Sequence, residues 1–168
     1  RGFYPPVDSL EIKGGTPLNG EVQVSGAKNA VLPILAATLL TREPCVIRNV
    51  PDLADVKTMC QILESLGAST KIKGDSVTVQ AEKVRDFADY DLVRKMRGSL
   101  CVLGPLLARL GEATVSMPGG CVIGTRPVDL HRKAMEALGA KVNIDKGYIL
   151  AKAKKLSGGE MFLGWRAG

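Results

Sequence analysis

Two apolar segments, NAVLPILAATLL at 29–40 and GSLCVLGPLLARL at 98–110, constrain the fold of this chain more than any other feature. Each is long enough for a helix and carries almost no polar face. A helix that is hydrophobic all round must be surrounded by protein, so both predict central, buried helices. Two other segments, ADVKTMCQILESL at 54–66 and VDLHRKAMEAL at 128–138, place apolar residues at helical spacing with charges between them. That is the pattern of helices covering one side of a sheet. Gly67 and Gly139 follow as C-terminal stops.

Strand-like runs separate the helices: EVQVS, CVIRNV, STKIKG, SVTVQA, ATVSM, KVNI and GYILA, many with the two-residue alternation of a sheet wet on one face. Half-exposed sheets around buried helices reverse the doubly wound arrangement. The predicted fold class is therefore α/β, with an inside-out arrangement.

The chain repeats itself. REPCVI at 42–47 lies over GEATVS at 111–116 with an offset of 69 residues, which also superposes the two apolar helices, whereas ESLGA at 64–68 lies over EALGA at 136–140 with an offset of 72. The extra residues fall near PGGCVIG, so that loop reads as an insertion into a duplicated unit, a common way to add function to a repeated scaffold. At the offset of 69, Lys28 falls on Arg97, each just before an apolar helix. A helix start offers unpaired N–H groups and the positive end of a dipole, so a cation there is unfavourable unless an anion joins it. Two such sites facing one cavity would clamp a phosphate or carboxylate. The alternative is that each side chain extends into water.

The loop PGGCVIGTR, 118–126, sets Cys121 on flexible backbone with Arg126 five residues downstream. A nearby cation favours thiolate over thiol, and glycines let a ligand approach closely. Cys45, Cys60 and Cys101 lie instead in apolar runs, where cysteine behaves as a small hydrophobe, and no CxxC pair occurs. A chain of 168 residues buries roughly 70% of its extended surface on folding and calls for no disulfide, metal or cofactor. The charge of +6 could indicate nucleic acid, but aromatics make up only 4% and the basic residues are scattered, so a small anionic substrate fits better than a polymer. Neither a secretory segment nor a membrane-spanning stretch is evident, and the chain reads as soluble and cytoplasmic.

SGAKNAVLPILAATLL, YDLVRKMRGSL, MPGGCVIGTRPVDLH and EALGAK occur in an order that resembles the N-terminal part of the UDP-N-acetylglucosamine enolpyruvyl transferases, members of the EPSP synthase-like superfamily. The resemblance runs from about Leu10 to Tyr148 and covers less than half of such an enzyme. It implies an α/β prism with three repeated units in each of two domains and the active site between them. Residues 1–20 would then be an extension and a strand joining the other domain, and 21–168 an incomplete prism domain bearing the catalytic loop. The implied reaction moves the enolpyruvyl group of phosphoenolpyruvate onto the 3-hydroxyl of UDP-N-acetylglucosamine and releases phosphate. It requires a proton donor, a base, and cations for a doubly anionic substrate.

By the same resemblance, Cys121 matches the loop cysteine that can add to phosphoenolpyruvate and is the target of fosfomycin. Lys28, Arg97 and Arg126 match the cations of the phosphoenolpyruvate site. Asn29, Arg97, Pro127, Val128, Asp129 and Leu130 match the residues that hold the sugar nucleotide. His131 reads as a packing or capping residue and only a weak candidate for nucleotide contact, while Asp52 and Asp55 read as helix-start residues without chemistry. The implied catalytic base and a further arginine have no counterpart in this chain, and WRA at 165–167 departs from the family's lysine and serine near that point. The partners implied are the two substrates and the remainder of the polypeptide. Two repeats of three would leave one side of the apolar helices uncovered, which predicts self-association or poor stability. The shikimate-pathway transferase shares the prism but lacks this cysteine loop, and a non-catalytic anion-binding remnant is the other alternative.

Overall fold

A computed structural model describes residues 11–88, 90–94, 96–117 and 128–162, with only the backbone of Arg97. The first apolar segment forms α1, Lys28–Ala37, and ends in a 3-10 turn, Thr38–Leu40. It is followed by β1, Cys45–Ile47, then α2, Ala54–Ser65, then the hairpin of β2, Ser69–Lys73, and β3, Ser76–Gln80. A short helix that the sequence pattern did not predict, α3, Tyr90–Val93, leads into the second unit. There the order within the apolar segment is reversed: a 3-10 stretch, Arg97–Val102, precedes α4, Leu103–Leu110. Then come β4, Glu112–Ser116, α5, Asp129–Ala137, and the hairpin of β5, Lys141–Asp145, with β6, Tyr148–Lys152.

Both units build the same antiparallel three-stranded sheet, ordered β1-β3-β2 in the first and β4-β6-β5 in the second. In β3, Val77 and Val79 are buried with half-buried residues between them, and in β6 Ile149 and Ala151 repeat the pattern. One face of each sheet is thus packed and the other meets water, as the alternation predicts. The apolar helical segments lie together, α1 against the 3-10 stretch 97–102 and α4 against the turn 38–40. Gly98 permits that approach, because a Cβ there would come within 2.9 Å of Leu32 Cδ1. Arg109 of α4 ties the units together: its Nη1 donates to the carbonyls of Leu39 and Thr41 at 2.7 and 3.0 Å, and its Nη2 to that of Glu82 at 3.1 Å. A cation over the carbonyl end of a helical segment also opposes the dipole there.

The helix stops work as predicted. Gly67 N–H donates to Glu64 and Ala68 N–H to Leu63 at the end of α2, and Gly139 and Ala140 donate to Glu136 and Met135 at the end of α5. These are paired Schellman motifs, and they require the positive φ that both glycines adopt, +100° and +94°.

Three expectations are corrected. First, α1 is enclosed on one side only, as two repeats of three imply and as its all-round apolar sequence does not. Val31, Leu32, Leu35 and Ala36 are buried, but Ala30, Pro33, Ile34, Ala37 and Leu40 form an exposed apolar stripe along the other side, with Ile34 46% and Leu40 53% exposed. Among the described residues no element packs there. Second, EVQVS forms no strand: residues 11–25 have no regular secondary structure, are exposed and are unpaired among the described residues, because a strand needs a ladder partner and this segment meets none. Third, the units superpose at 68 rather than 69. Buried Leu32, Leu35 and Leu39 correspond to buried Leu100, Leu103 and Leu107, and Cys45 opposite Val79 corresponds to Ala113 opposite Ala151. The helical segments still begin 69 apart, at Lys28 and Arg97. Six 3-10 residues at about 120° each wind roughly a third of a turn further than six α residues, which advances the buried face by about one position.

Candidate functional site

The N-terminus of α1 opens onto a cavity of about 400 Å³ between the two units. Its apolar floor includes Leu32, Met96 and Leu100, and its polar groups are Lys28, Asn29, Asp55, Cys101 and His131. Each has a structural reason to be there. Ala27 is extended and offers no capping side chain, so α1 starts abruptly at Lys28, with Ala30 and Val31 N–H donating to the Ala27 carbonyl. The first N–H groups of such a helix have no partner within it and carry the positive end of its dipole. The backbone reaches this start by passing close under Asn49, whose carbonyl a Cβ on Gly26 would strike.

Lys28 Nζ lies 2.5 Å from Asp55 Oδ2, the ammonium half exposed and the carboxylate 33% exposed. Asp55 is in the first turn of α2, where a carboxylate also suits that helix's own dipole. Asp52 pairs with Lys57 at 2.9 Å on the open surface, the solvated arrangement expected of helix-start residues. Asp55 is different, and the sequence reading that gave it no chemistry missed its partner. The signal was not local: the two residues are 27 positions apart. Cys101, read as a small hydrophobe, is only half buried and lines the same cavity, and burial pushes its thiol above the ordinary range. His131, from the first turn of α5, closes the cavity from the second unit.

Of the residues singled out from the sequence, Lys28 and Asn29 stand side by side on the cavity. Arg97 begins the 3-10 stretch between two lining residues, Met96 and Gly98. Val128, Asp129 and Leu130 form the start of α5 without lining the cavity: Val128 is buried, Asp129 half-buried and Leu130 42% exposed. Cys121, Arg126 and Pro127 lie outside the described residues, as do Trp165, Arg166 and Ala167. The described ends of the loop are nevertheless informative. Met117 N–H donates to the Gly147 carbonyl at 2.7 Å, extending the β4 ladder to the point where the loop departs, and the loop returns at Val128, three residues before His131. In the first unit the equivalent connection is 48–53, and the offset between units grows from 68 before it to 72 after it. The loop therefore sits at the inserted position.

A larger recess of about 720 Å³ adjoins Gly111 and Gly139 and is lined by Lys141, Lys152, Lys154 and Lys155. All four lysines are exposed, and Lys152 is paired with Glu112 at 2.9 Å. It combines none of the helix-start, thiol and imidazole groups that meet at the smaller cavity. Among the described residues no cluster of three or more His, Cys, Asp or Glu could hold a metal ion, and no helix is long and apolar enough to cross a membrane.

These features define an α/β fragment of an inside-out barrel with an anion-compatible cavity between its repeated units. The family model for EPSP synthase (3-phosphoshikimate 1-carboxyvinyltransferase) matches residues 12–163, and the chain belongs to that family. Within it, the chain is 56% identical over 151 residues to a UDP-N-acetylglucosamine 1-carboxyvinyltransferase of Helicobacter pylori and 52% identical over 152 residues to that of Methylacidiphilum infernorum, matching 89% and 90% of this chain. It spans 36% of the length of each. Among solved structures, the enolpyruvyl transferase NikO from Streptomyces tendae matches with a TM-score of 0.71 at 28% identity, over 86% of this chain and 32% of that one.

Proposed function

We propose that this chain is the cysteine-bearing part of an enzyme that transfers the enolpyruvyl group of phosphoenolpyruvate to the 3-hydroxyl of UDP-N-acetylglucosamine and releases phosphate, the first committed step of peptidoglycan precursor synthesis. The observation that carries this reading is the joining of Lys28 and Asn29 at an uncapped helix start with the second unit's 3-10 start and α5, the helix that follows the inserted loop in sequence. The relatives at 52% and 56% identity bear the name of that activity.

In this reading Lys28, Arg97 and Arg126 hold the phosphate and carboxylate of phosphoenolpyruvate, with the N-terminus of α1 adding its dipole. Asn29, Arg97, Pro127, Val128, Asp129 and Leu130 hold the sugar nucleotide. Cys121 takes part in proton transfer. The methylene carbon gains a proton as the sugar oxygen bonds to the adjacent carbon, and loss of phosphate and of a proton from the new methyl group restores the enol double bond. The base for the sugar hydroxyl comes from the remainder of the polypeptide, which also covers the exposed stripe of α1. Residues 1–20 join the other domain, and the enzyme works in the cytoplasm.

Phosphate release from phosphoenolpyruvate and UDP-N-acetylglucosamine by the complete polypeptide tests this. We expect Cys121→Ala to lower turnover by about 10²- to 10⁴-fold, the usual worth of a positioned proton-transfer group. Full activity in that variant would remove the role given to Cys121. Labelling of Cys121 by fosfomycin separates this reading from the shikimate-pathway transferase, binding without turnover would leave the anion-binding remnant, and failure of both substrates to bind would defeat the site assignment.

A further inference from the structure

Lys28 does not stand alone at the cavity, and its partner has a shape that a surface ion pair lacks. Asp55 reaches it from a different helix, is the more buried of the two, and lines the cavity with it. An ammonium on a four-carbon stem has many rotamers, and at the positive end of α1 the field pushes it away from the helix start. A carboxylate fixed on the first turn of α2 opposes that push and selects the rotamers that keep Nζ at the cavity wall.

Resting on the transferase reading, we propose that Asp55 is a positioning residue that holds the Lys28 ammonium in register for the substrate anion. Asp55 touches Lys28 and not the substrate. It competes weakly with the incoming anion for the same ammonium, so its contribution is to orientation rather than to affinity. Misplacing a catalytic cation by about 1 Å can slow a reaction on the order of 10²-fold without removing the binding site.

The test is steady-state turnover of the complete polypeptide with Asp55→Asn, Asp55→Glu and, as a surface control, Asp52→Asn, with rates expressed per folded molecule. Asp55→Asn should lower kcat about 10- to 100-fold while KM for phosphoenolpyruvate stays level or falls. Asp55→Glu should recover most of the loss, and Asp52→Asn should behave as the parent. A kcat within twofold of the parent in Asp55→Asn, a rise in KM, equal loss in Asp55→Glu, or an equal loss in Asp52→Asn would overturn the proposal. Calorimetry with inorganic phosphate reads the pair without turnover: Asp55→Asn should bind phosphate about two- to fivefold more tightly, the range of a partly exposed ion pair. Unchanged or weaker phosphate binding overturns the proposal even if the parent protein turns nothing over, whereas an inactive parent with the expected phosphate result sinks only the transferase reading.

Discussion

Helices α2 and α5 occupy equivalent places in the two units, with the same amphipathic spacing and the same glycine stop 72 residues apart, yet they are packed differently. In α2, Val56, Met59, Cys60, Ile62 and Leu63 are buried; in α5 no residue is. The reason is what surrounds each. α2 lies against α1, α3 and the 3-10 stretch as well as its own β2, whereas α5 lies chiefly against β5. Equal periodicity thus makes equal helices, and neighbours decide how much of the apolar face leaves water. The less covered helix is the one that follows the cysteine loop and brings His131 to the cavity.

The contrast can be broken most sharply at the core. Met59 is fully buried in α2, whereas the methionine of α5, Met135, is only half-buried. Met59→Ala should destabilise by about 2–5 kcal/mol and Met135→Ala by well under half as much, measured by urea unfolding. Equal losses would mean that α5 is covered as completely as α2.

A smaller difference should appear at the stops. A Cβ on Gly67 would sit 2.7 Å from the Lys83 carbonyl oxygen, while one on Gly139 meets nothing nearer than 3.6 Å. Both glycines have positive φ, so each alanine variant carries about 1–2 kcal/mol of backbone strain, and Gly67→Ala adds a clash with backbone. Thermal unfolding should therefore rank Gly67→Ala clearly below Gly139→Ala, and the reverse order would contradict the packing.

The smallest expected effect is electrostatic. Burial is the main cause raising the Cys60 thiol in α2 above its ordinary value of 9.0, with the Thr70 hydrogen bond opposing and Glu64 adding to the rise. A thiol whose pKa is raised on folding contributes stability that is complete below the unfolded pKa and is lost as pH rises through the folded value. Stability should therefore decline slightly above pH 9.0, and Cys60→Ser should flatten that decline in a pH series of urea midpoints. At the equivalent position α5 has Arg132 in place of a thiol, so no matching thiol effect is expected there.

Much of the fold was legible because its signals are local. The 3.6-residue period marks α2 and α5, the two-residue period marks β2, β3, β5 and β6, and Gly67 and Gly139 mark where helices stop. Six of the seven strand-like runs become strands. EVQVS fails because pairing is not a property of one segment. Lys28 and Asn29 were legible through the motif that contains them and the helix start they occupy. Asp55 and Cys101 were not, because a carboxylate near a helix start and a cysteine in an apolar run look the same whether or not a cavity lies beside them.

By itself the sequence determined where the four longer helical segments lie, where α2 and α5 end, that the unit is duplicated and where the duplication is interrupted, since each depends on spacing along the chain. Tertiary structure alone decided that the units register at 68, which side of α1 faces water, and that Asp55 rather than Asp52 meets the cavity lysine. Those outcomes depend on winding accumulated over a 3-10 stretch and on approaches between residues far apart in sequence. No local pattern encodes a distance of that kind.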